Sequence, residues 1–319
     1  MEAKMQRRQF LWALSASTFV WPWSAHANRP YTITVVVKSL RNQFFTMMLD
    51  GGRKHHTEHA QDYQLRLEGL QREEDVKTQL TMLQQAIVRK DDVLIVAPAD
   101  SQAVMPYLLK AIHQGMLVIN IDNKLDERVL ARAGVNIPFV GPSNFNGARK
   151  VGDYVLRGLK PGSQVGIVEG IVKAINAKSR SQGFQESIRQ AGMTLAGTQW
   201  GNWETDQGQQ AAESLLAATP NLAALLCGND NMAIGAAKAV AARGKTGVVR
   251  IGGYDNIPAV TPMIAQGAIY ATADQHPAIQ MQYALDLALK SLKNRVPQAE
   301  MQSILQTPVE LIAKSASPA

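Results

Sequence analysis

The scarcest residue in this chain of 319 is cysteine, present once, as Cys227. A single thiol excludes an internal disulfide. It closes the apolar run Leu225-Leu226-Cys227 with no histidine nearby in sequence, which reads as a buried, inert thiol and not as an activated nucleophile. Charge is sparse too, at 18% of residues. The formal net charge of +7 comes down by two when the first 27 residues are set aside, because they hold Lys4, Arg7 and Arg8 against Glu2 alone. The remaining excess is scattered, which fits solubility and gives no nucleic-acid surface. Beyond the N-terminus no apolar run is long enough to span a bilayer. Phosphate-binding loop, dinucleotide glycine fingerprint, nucleophile elbow and zinc-ligand spacing are all missing, so an enzyme has no motif to stand on and no cofactor or metal is implied. What is plentiful is hydrophobic side chain, 46% of the total, enough for well-packed cores in two α/β domains of ordinary size.

The first segment reads as an address. Gln6-Arg7-Arg8-Gln9-Phe10-Leu11 is a twin-arginine pattern, an apolar stretch runs over 10–20, and Ala25-His26-Ala27 offers the small residues a signal peptidase reads. The apolar stretch is shorter than the ~20 residues of a spanning helix and is followed by Pro22. Export to a bacterial periplasm, with cleavage after Ala27, is the expectation.

Downstream, hydrophobic periodicity alternates between strand and helix. Strands are expected over 33–37, 63–67, 93–97 and 116–121, with helices over 44–59, 73–88 and 102–114 between them. The pattern restarts after Gly141-Pro142: helices over 144–158, 178–192, 206–218 and 232–243 alternate with strands over 164–169, 193–199, 222–227 and 248–252. The order predicts two similar α/β units, each a parallel sheet with helices on both faces.

The halves echo each other at strand ends. Asn120-Ile121-Asp122-Asn123 closes a strand in the first; Gly228-Asn229-Asp230-Asn231 and Gly253-Tyr254-Asp255-Asn256 close strands in the second. Any one of these Asp or Asn residues serves equally well as a helix cap. Their recurrence favours a cleft shared by two facing sheets, since ligands of open parallel sheets bind beyond the carboxyl ends of the strands. Candidate cleft groups are Asn42, Phe44, Phe45, Asp122, Asn123, Arg180, Trp203, Asn229, Asp255 and Gln275. Asp, Asn, Gln and Arg make paired hydrogen bonds that match vicinal hydroxyls, and aromatic faces cover the C–H faces of a sugar ring. Two adjacent phenylalanines cannot both face one core, so one of Phe44 and Phe45 is expected to point outward. Trp203 lies in a polar loop, a better place for a ligand contact than for core packing. His55 and His59, four apart on a charged helix, read as a solvated face in preference to a metal site.

Several segments resemble periplasmic sugar-binding proteins of the ribose-binding type. They are Ser39-Leu40-Arg41-Asn42-Gln43-Phe44-Phe45, Ala97-Pro98-Ala99-Asp100-Ser101, Arg180-Ser181-Gln182-Gly183-Phe184, the run from Asn229 to Ala236, Gly253-Tyr254-Asp255 and Ala273-Asp274-Gln275. The resemblance spans about 31–314. It implies the type I periplasmic binding protein fold, two Rossmann-like lobes joined by a hinge of three crossings. The lobes would comprise 31–141 with 275–309, and 142–274 with 310–319, after a leader of 1–27. It also implies a monomer that closes around a monosaccharide and delivers it to the membrane permease of an ABC importer. By position, Asn42, Phe44, Phe45 and Asp122 fall on ligand-binding places of one lobe, Arg180, Trp203, Asn229 and Asp255 on those of the other, and Gln275 at the hinge. Three departures argue against ribose itself: Asn123 in place of an arginine, Ala97 in place of an asparagine, and Lys38 in place of a small hydroxyl residue. Lys38 could restore from another direction the charge missing at Asn123. A lactose-repressor-type regulator shares this fold but would need a DNA-binding segment where the export signal stands. A sensor that presents the sugar to a chemoreceptor or kinase would differ only in what docks on the lobes.

Overall fold

The computed structural model describes residues 29–314; the expected leader, its cleavage site and the last five residues lie outside them. In the first lobe the chain runs β1 (Tyr31–Ser39), α1 (Gln43–Glu58), β2 (Tyr63–Leu70), α2 (Val76–Arg89), β3 (Val93–Val96), α3 (Met105–His113), β4 (Leu117–Ile121), α4 (Glu127–Ala133) and β5 (Phe139–Gly141). It then crosses to a second lobe of α5 (Asn144–Leu156), β6 (Gln164–Glu169), α6 (Ile175–Gln190), β7 (Thr194–Trp200), α7 (Thr205–Ala218), β8 (Leu222–Cys227), α8 (Asp230–Ala242), β9 (Arg250–Gly252), α9 (Thr261–Gln266) and β10 (Ala271–Asp274). A second crossing leads to α10 (Pro277–Lys293), which packs on α1, and to β11 (Ile304–Gln306), which joins β5. A third returns the chain to β12 (Glu310–Ala313), paired with β10.

Each lobe is a six-stranded sheet, in the order β11-β5-β4-β3-β1-β2 and β12-β10-β9-β8-β6-β7. Every pairing is parallel except β10 with β12. Apart from the edge strand, parallel in the first sheet and antiparallel in the second, the two orders are the same winding used twice, so the other strands in equivalent places point their carboxyl ends at the same cleft. Parallel sheets covered on both faces need strands that are apolar throughout. β1 meets that need: Ile33, Val35, Val36 and Val37 are fully buried, each worth roughly 1.5–3 kcal/mol relative to exposure. In the second lobe α7 and α8 pack closely through Gly235, where any Cβ would collide with the Thr205 carbonyl.

Several expected boundaries move, and two of the moves matter for the cleft. The helix expected over 73–88 starts at Val76, because the Asp75 side chain accepts the Thr78 N–H at 3.1 Å and caps it there. Glu73 is thereby left in the loop. The helix expected from Lys178 starts at Ile175, which brings Asn176 into its first turn. α3 begins at Met105, three residues later than expected, with Pro106 in its first turn.

Candidate ligand-binding site

Between the lobes lies a cavity with about 230 Å³ of empty space, its solvent-open part included. Lys38, Asn42, Phe44, Phe45, Glu73 and Asp122 line it from the first lobe. Asn176, Arg180, Trp203, Asn229 and Asp255 line it from the second, and Gln275 does so from the second crossing. All are buried, none more than 5% exposed. These positions follow from the winding: Lys38 lies at the end of β1, Asp122 follows β4, Trp203 and Asn229 sit in the turns that open α7 and α8, and Asp255 follows β9.

The structure brings together every sequence-predicted residue but one. Asn123 is the exception. Its Nδ2 donates to the Pro98 carbonyl at 2.8 Å, and it is absent from the cavity wall. The cause is local: Asp122 has φ of 63°, so the chain reverses there and sends neighbouring side chains to opposite sides. The expectation that Phe44 or Phe45 faces outward is also corrected. Both are 2% exposed, with centroids 5.0 Å apart and planes at 77°. The face of α1 that would meet solvent in an isolated lobe here meets the cleft, so both rings are covered. Sequence reasoning missed Glu73 and Asn176, both placed by the shifted helix starts; Asp75 three residues before Thr78 was the available signal for the first.

Capping and lining turn out to be compatible. Asn42 Oδ1 accepts the Phe44 N–H at 3.1 Å while its Nδ2 donates to Glu73 Oε1 at 3.2 Å. Asn229 Oδ1 accepts from Met232 N at 3.0 Å and Nδ2 donates to the Trp203 carbonyl at 3.2 Å. Each amide nitrogen keeps a second hydrogen. Lys38 Nζ pairs with Glu73 Oε2 at 3.1 Å and stands 5.4 Å from the Phe45 ring centre and 5.7 Å from that of Trp203, so it touches aromatic faces of both lobes.

Arg180 is held on several sides. Its Nε donates to Asn144 Oδ1 at 2.7 Å and its Nη1 to the Gly228 carbonyl at 2.8 Å, with Asp255 Oδ1 at 3.4 Å. Its Cζ lies 3.7 Å from the Tyr254 ring centre. Gln275 Nε2 donates to the same Asp255 oxygen at 2.6 Å. Trp203 lies flat over Gly170, where a Cβ would collide with the indole, and its Nε1 is buried with no hydrogen-bond partner among the described residues. Such an orphan costs on the order of 1–3 kcal/mol, which an oxygen acceptor in the cavity would relieve.

The charges nearly balance: Lys38 and Arg180 against Glu73, Asp122 and Asp255. Burial pushes the Asp122 carboxyl up; Lys38 and then Arg180 oppose the shift and Glu73 adds to it. Burial raises Asp255 strongly, against the pull of Arg180. Behind the wall Asp230 is wholly buried and is pushed up to about 7, although Thr272 Oγ1 at 2.7 Å and Ile257 N at 3.0 Å donate to it. Burial also raises the Cys227 thiol, keeping it protonated and inert. The cavity thus offers carboxylate acceptors, amide, ammonium, guanidinium and indole donors, and aromatic faces. That set suits a neutral guest rich in hydroxyls, each of which both donates and accepts.

Comparison with known proteins agrees with this geometry. Residues 33–295 match the periplasmic binding protein domain. The D-ribose/D-allose-binding protein of Pseudomonas aeruginosa is 43% identical over 302 residues, which cover 94% of this chain and 95% of the relative. A solved ABC transporter solute-binding protein from Burkholderia multivorans, with an unknown ligand built as alpha-D-erythrofuranose, is 45% identical. It superposes with a TM-score of 0.87, covering 90% of this chain and all of that one. An ABC transporter periplasmic solute-binding protein from Actinobacillus succinogenes with bound D-allose is 29% identical, with a TM-score of 0.81 over 90% of this chain and 98% of its own. With two similarly wound lobes, three crossings and a walled cavity between them, this chain belongs to the periplasmic binding protein family.

Proposed function

We propose that the protein captures one neutral monosaccharide or polyol by closing its lobes, and presents it to the permease of an ABC importer in the periplasm; D-allose is the first candidate and D-ribose, against which the three departures argue, the second. The observation that carries the reading is the cavity wall itself. Both lobes contribute unspent hydrogen-bonding capacity to one enclosed space, and the wall's charges almost cancel. A guest that bonds both sets of groups stabilises the closed form, because only there are both within reach. The near balance of charge disfavours a sugar phosphate or sugar acid, whose charge would meet three carboxylates. Lys38 and Glu73 add an ammonium and a carboxylate to the first-lobe wall, while Asn123 turns away. Export through residues 1–27 accounts for the location.

Calorimetric titration with D-ribose, D-allose and myo-inositol, followed by X-ray scattering with and without the tightest of them, tests the reading. The expected results are saturable binding and a smaller radius of gyration in the complex. Scattering curves that superimpose despite saturation would refute lobe closure, and binding of none of the three would refute the ligand class. Mass spectrometry of the protein from the periplasmic fraction is expected to place its first residue at Asn28, and the full-length mass there would refute cleavage.

A further inference from the structure

Just outside the cavity wall, one residue holds the Arg180 guanidinium from behind. Arginine carries five N–H donors in a fixed plane. In Arg180 the Nε donor goes to Asn144 Oδ1 at 2.7 Å, and Nη1 serves the Gly228 carbonyl and Asp255. Tyr254 covers one face at 3.7 Å, and the Trp203 ring centre lies 5.5 Å from Cζ. Among the described residues Nη2 makes no hydrogen bond, so its two N–H groups are the ones left for the cavity. Which edge of the plane faces the cavity is decided by rotation about the side chain's long axis, and the Nε contact fixes that rotation. Asn144 is 7% exposed and outside the cavity wall. It is the first residue of α5, three residues past the end of β5, where the chain completes its first crossing between lobes.

We propose that Asn144 is a positioning residue: by accepting from Arg180 Nε it turns the Nη2 edge into the cavity and ties that orientation to the first crossing strand. The proposal rests on the reading of Arg180 as a ligand-binding group. It adds a second tie of the same kind to one already visible, since Gln275 on the second crossing holds Asp255 at 2.6 Å. The buried Arg180–Asp255 pair of the second lobe is thus gripped by one amide from each of two crossings, and a change in crossing geometry on opening or closing is transmitted to it.

The test is a double-substitution cycle read by calorimetry with the tightest of D-ribose, D-allose and myo-inositol. Asn144→Leu leaves the Nε donor without its acceptor and is expected to weaken binding roughly 10- to 100-fold. Asn144→Asp keeps an acceptor oxygen and is expected to stay within about threefold of the parent. Arg180→Lys has no Nε–H donor; it weakens binding by itself, and Asn144→Leu added to it is expected to cost nothing more. Asn144→Ser, with a hydroxyl too short to reach Nε, stands in if the leucine variant does not fold. Undiminished affinity in Arg180→Lys, or no binding of any of the three sugars by the parent, overturns the reading of Arg180 as a ligand group. Weakened binding in Arg180→Lys with parent-like affinity in Asn144→Leu, or an equal loss from Asn144→Leu in both backgrounds, overturns the positioning role alone.

Discussion

Replacing Asp122 with asparagine should move stability and affinity in opposite directions. The Asp122 carboxyl is 2% exposed and accepts no hydrogen bond from the described residues; Lys38 and Arg180 help it only through space. Burial raises its pKa in the folded, empty protein above the usual aspartate value. The folded state therefore holds the proton more tightly than the unfolded chain does. That contribution to stability is complete below about pH 4 and is lost as pH rises through the folded-state pKa. An asparagine in its place has no such loss, so the empty Asp122→Asn protein is expected to melt higher than the parent at pH 7.5, with a flatter pH dependence. Binding runs the other way. A carboxylate accepts from two ligand hydroxyls, whereas the amide keeps one acceptor oxygen and points N–H groups at the other hydroxyl. Losing one charge-assisted hydrogen bond costs about 1.5–3 kcal/mol, or roughly 10- to 150-fold in Kd. Calorimetric titration at pH 7.5 measures the loss and scanning calorimetry of the empty proteins measures the gain. The parent's affinity should also weaken as pH falls through the Asp122 pKa, and that of the variant should not. Unchanged affinity, or a lower melting temperature in the empty variant, would refute the account of Asp122 as an uncompensated acceptor kept for the ligand.

Asp230 gives a second pH handle, independent of ligand. With a folded-state pKa of about 7 against 3.8 unfolded, it withdraws roughly 3 kcal/mol of stability between pH 5 and pH 8 and nothing further above that. The difference in unfolding free energy between parent and Asp230→Asn should therefore change by about that amount across the window, and a difference that does not vary with pH would rule out the raised pKa. Gly170→Ala should push the Trp203 indole into the cavity, because the new methyl occupies the place of the ring. The expected result is at least a tenfold loss of sugar affinity with far smaller effect on the melting temperature of the empty protein, and parent-like affinity would show that the indole has somewhere else to go.

The alternation of strands and helices was legible because parallel strands buried on both faces are continuous apolar runs, and the helices between them carry one apolar stripe. Short pieces were not. β5, β11 and β12 are three or four residues long, and α4 is seven, too brief for either period to show. The cleft residues were largely legible from one rule, that functional groups gather at strand ends, together with the family resemblance. Glu73 was lost to a helix start misjudged by three residues, since the apolar stripe of α2 extends plausibly upstream until the Asp75 cap is noticed. Asn123 was over-read because adjacency in sequence says nothing about side-chain direction once the preceding residue takes a left-handed conformation. Phe44 and Phe45 are both covered because the opposite lobe is a second surface able to bury a ring, which one lobe's pattern does not show.

That left-handed conformation is itself part of how the site is built. Asp122 has φ of 63° and Asp255 of 112°. They follow β4 and β9, which hold the same place in the two sheets. Their N–H groups make the same bond, to Val140 on β5 at 3.0 Å and to Ala273 on β10 at 2.8 Å. Each lobe thus ends an equivalent strand in a strained backbone that aims a buried carboxylate at the cavity. Trp203, with φ of 70°, adds a third such residue. Strain of this kind costs on the order of 1–3 kcal/mol per residue and persists only where the surroundings over-determine it. Here the ladder bond to the next strand and the close packing of the lobe do so. Glycine at 122 or 255 would relieve both the strain and the buried charge, so these carboxylates are held against the stability of the empty protein. The repetition of one costly arrangement in both lobes is the strongest physical argument that the two aspartates act together on one guest. It also makes asparagine, which tolerates positive φ nearly as well as aspartate, the substitution that separates the charge from the backbone.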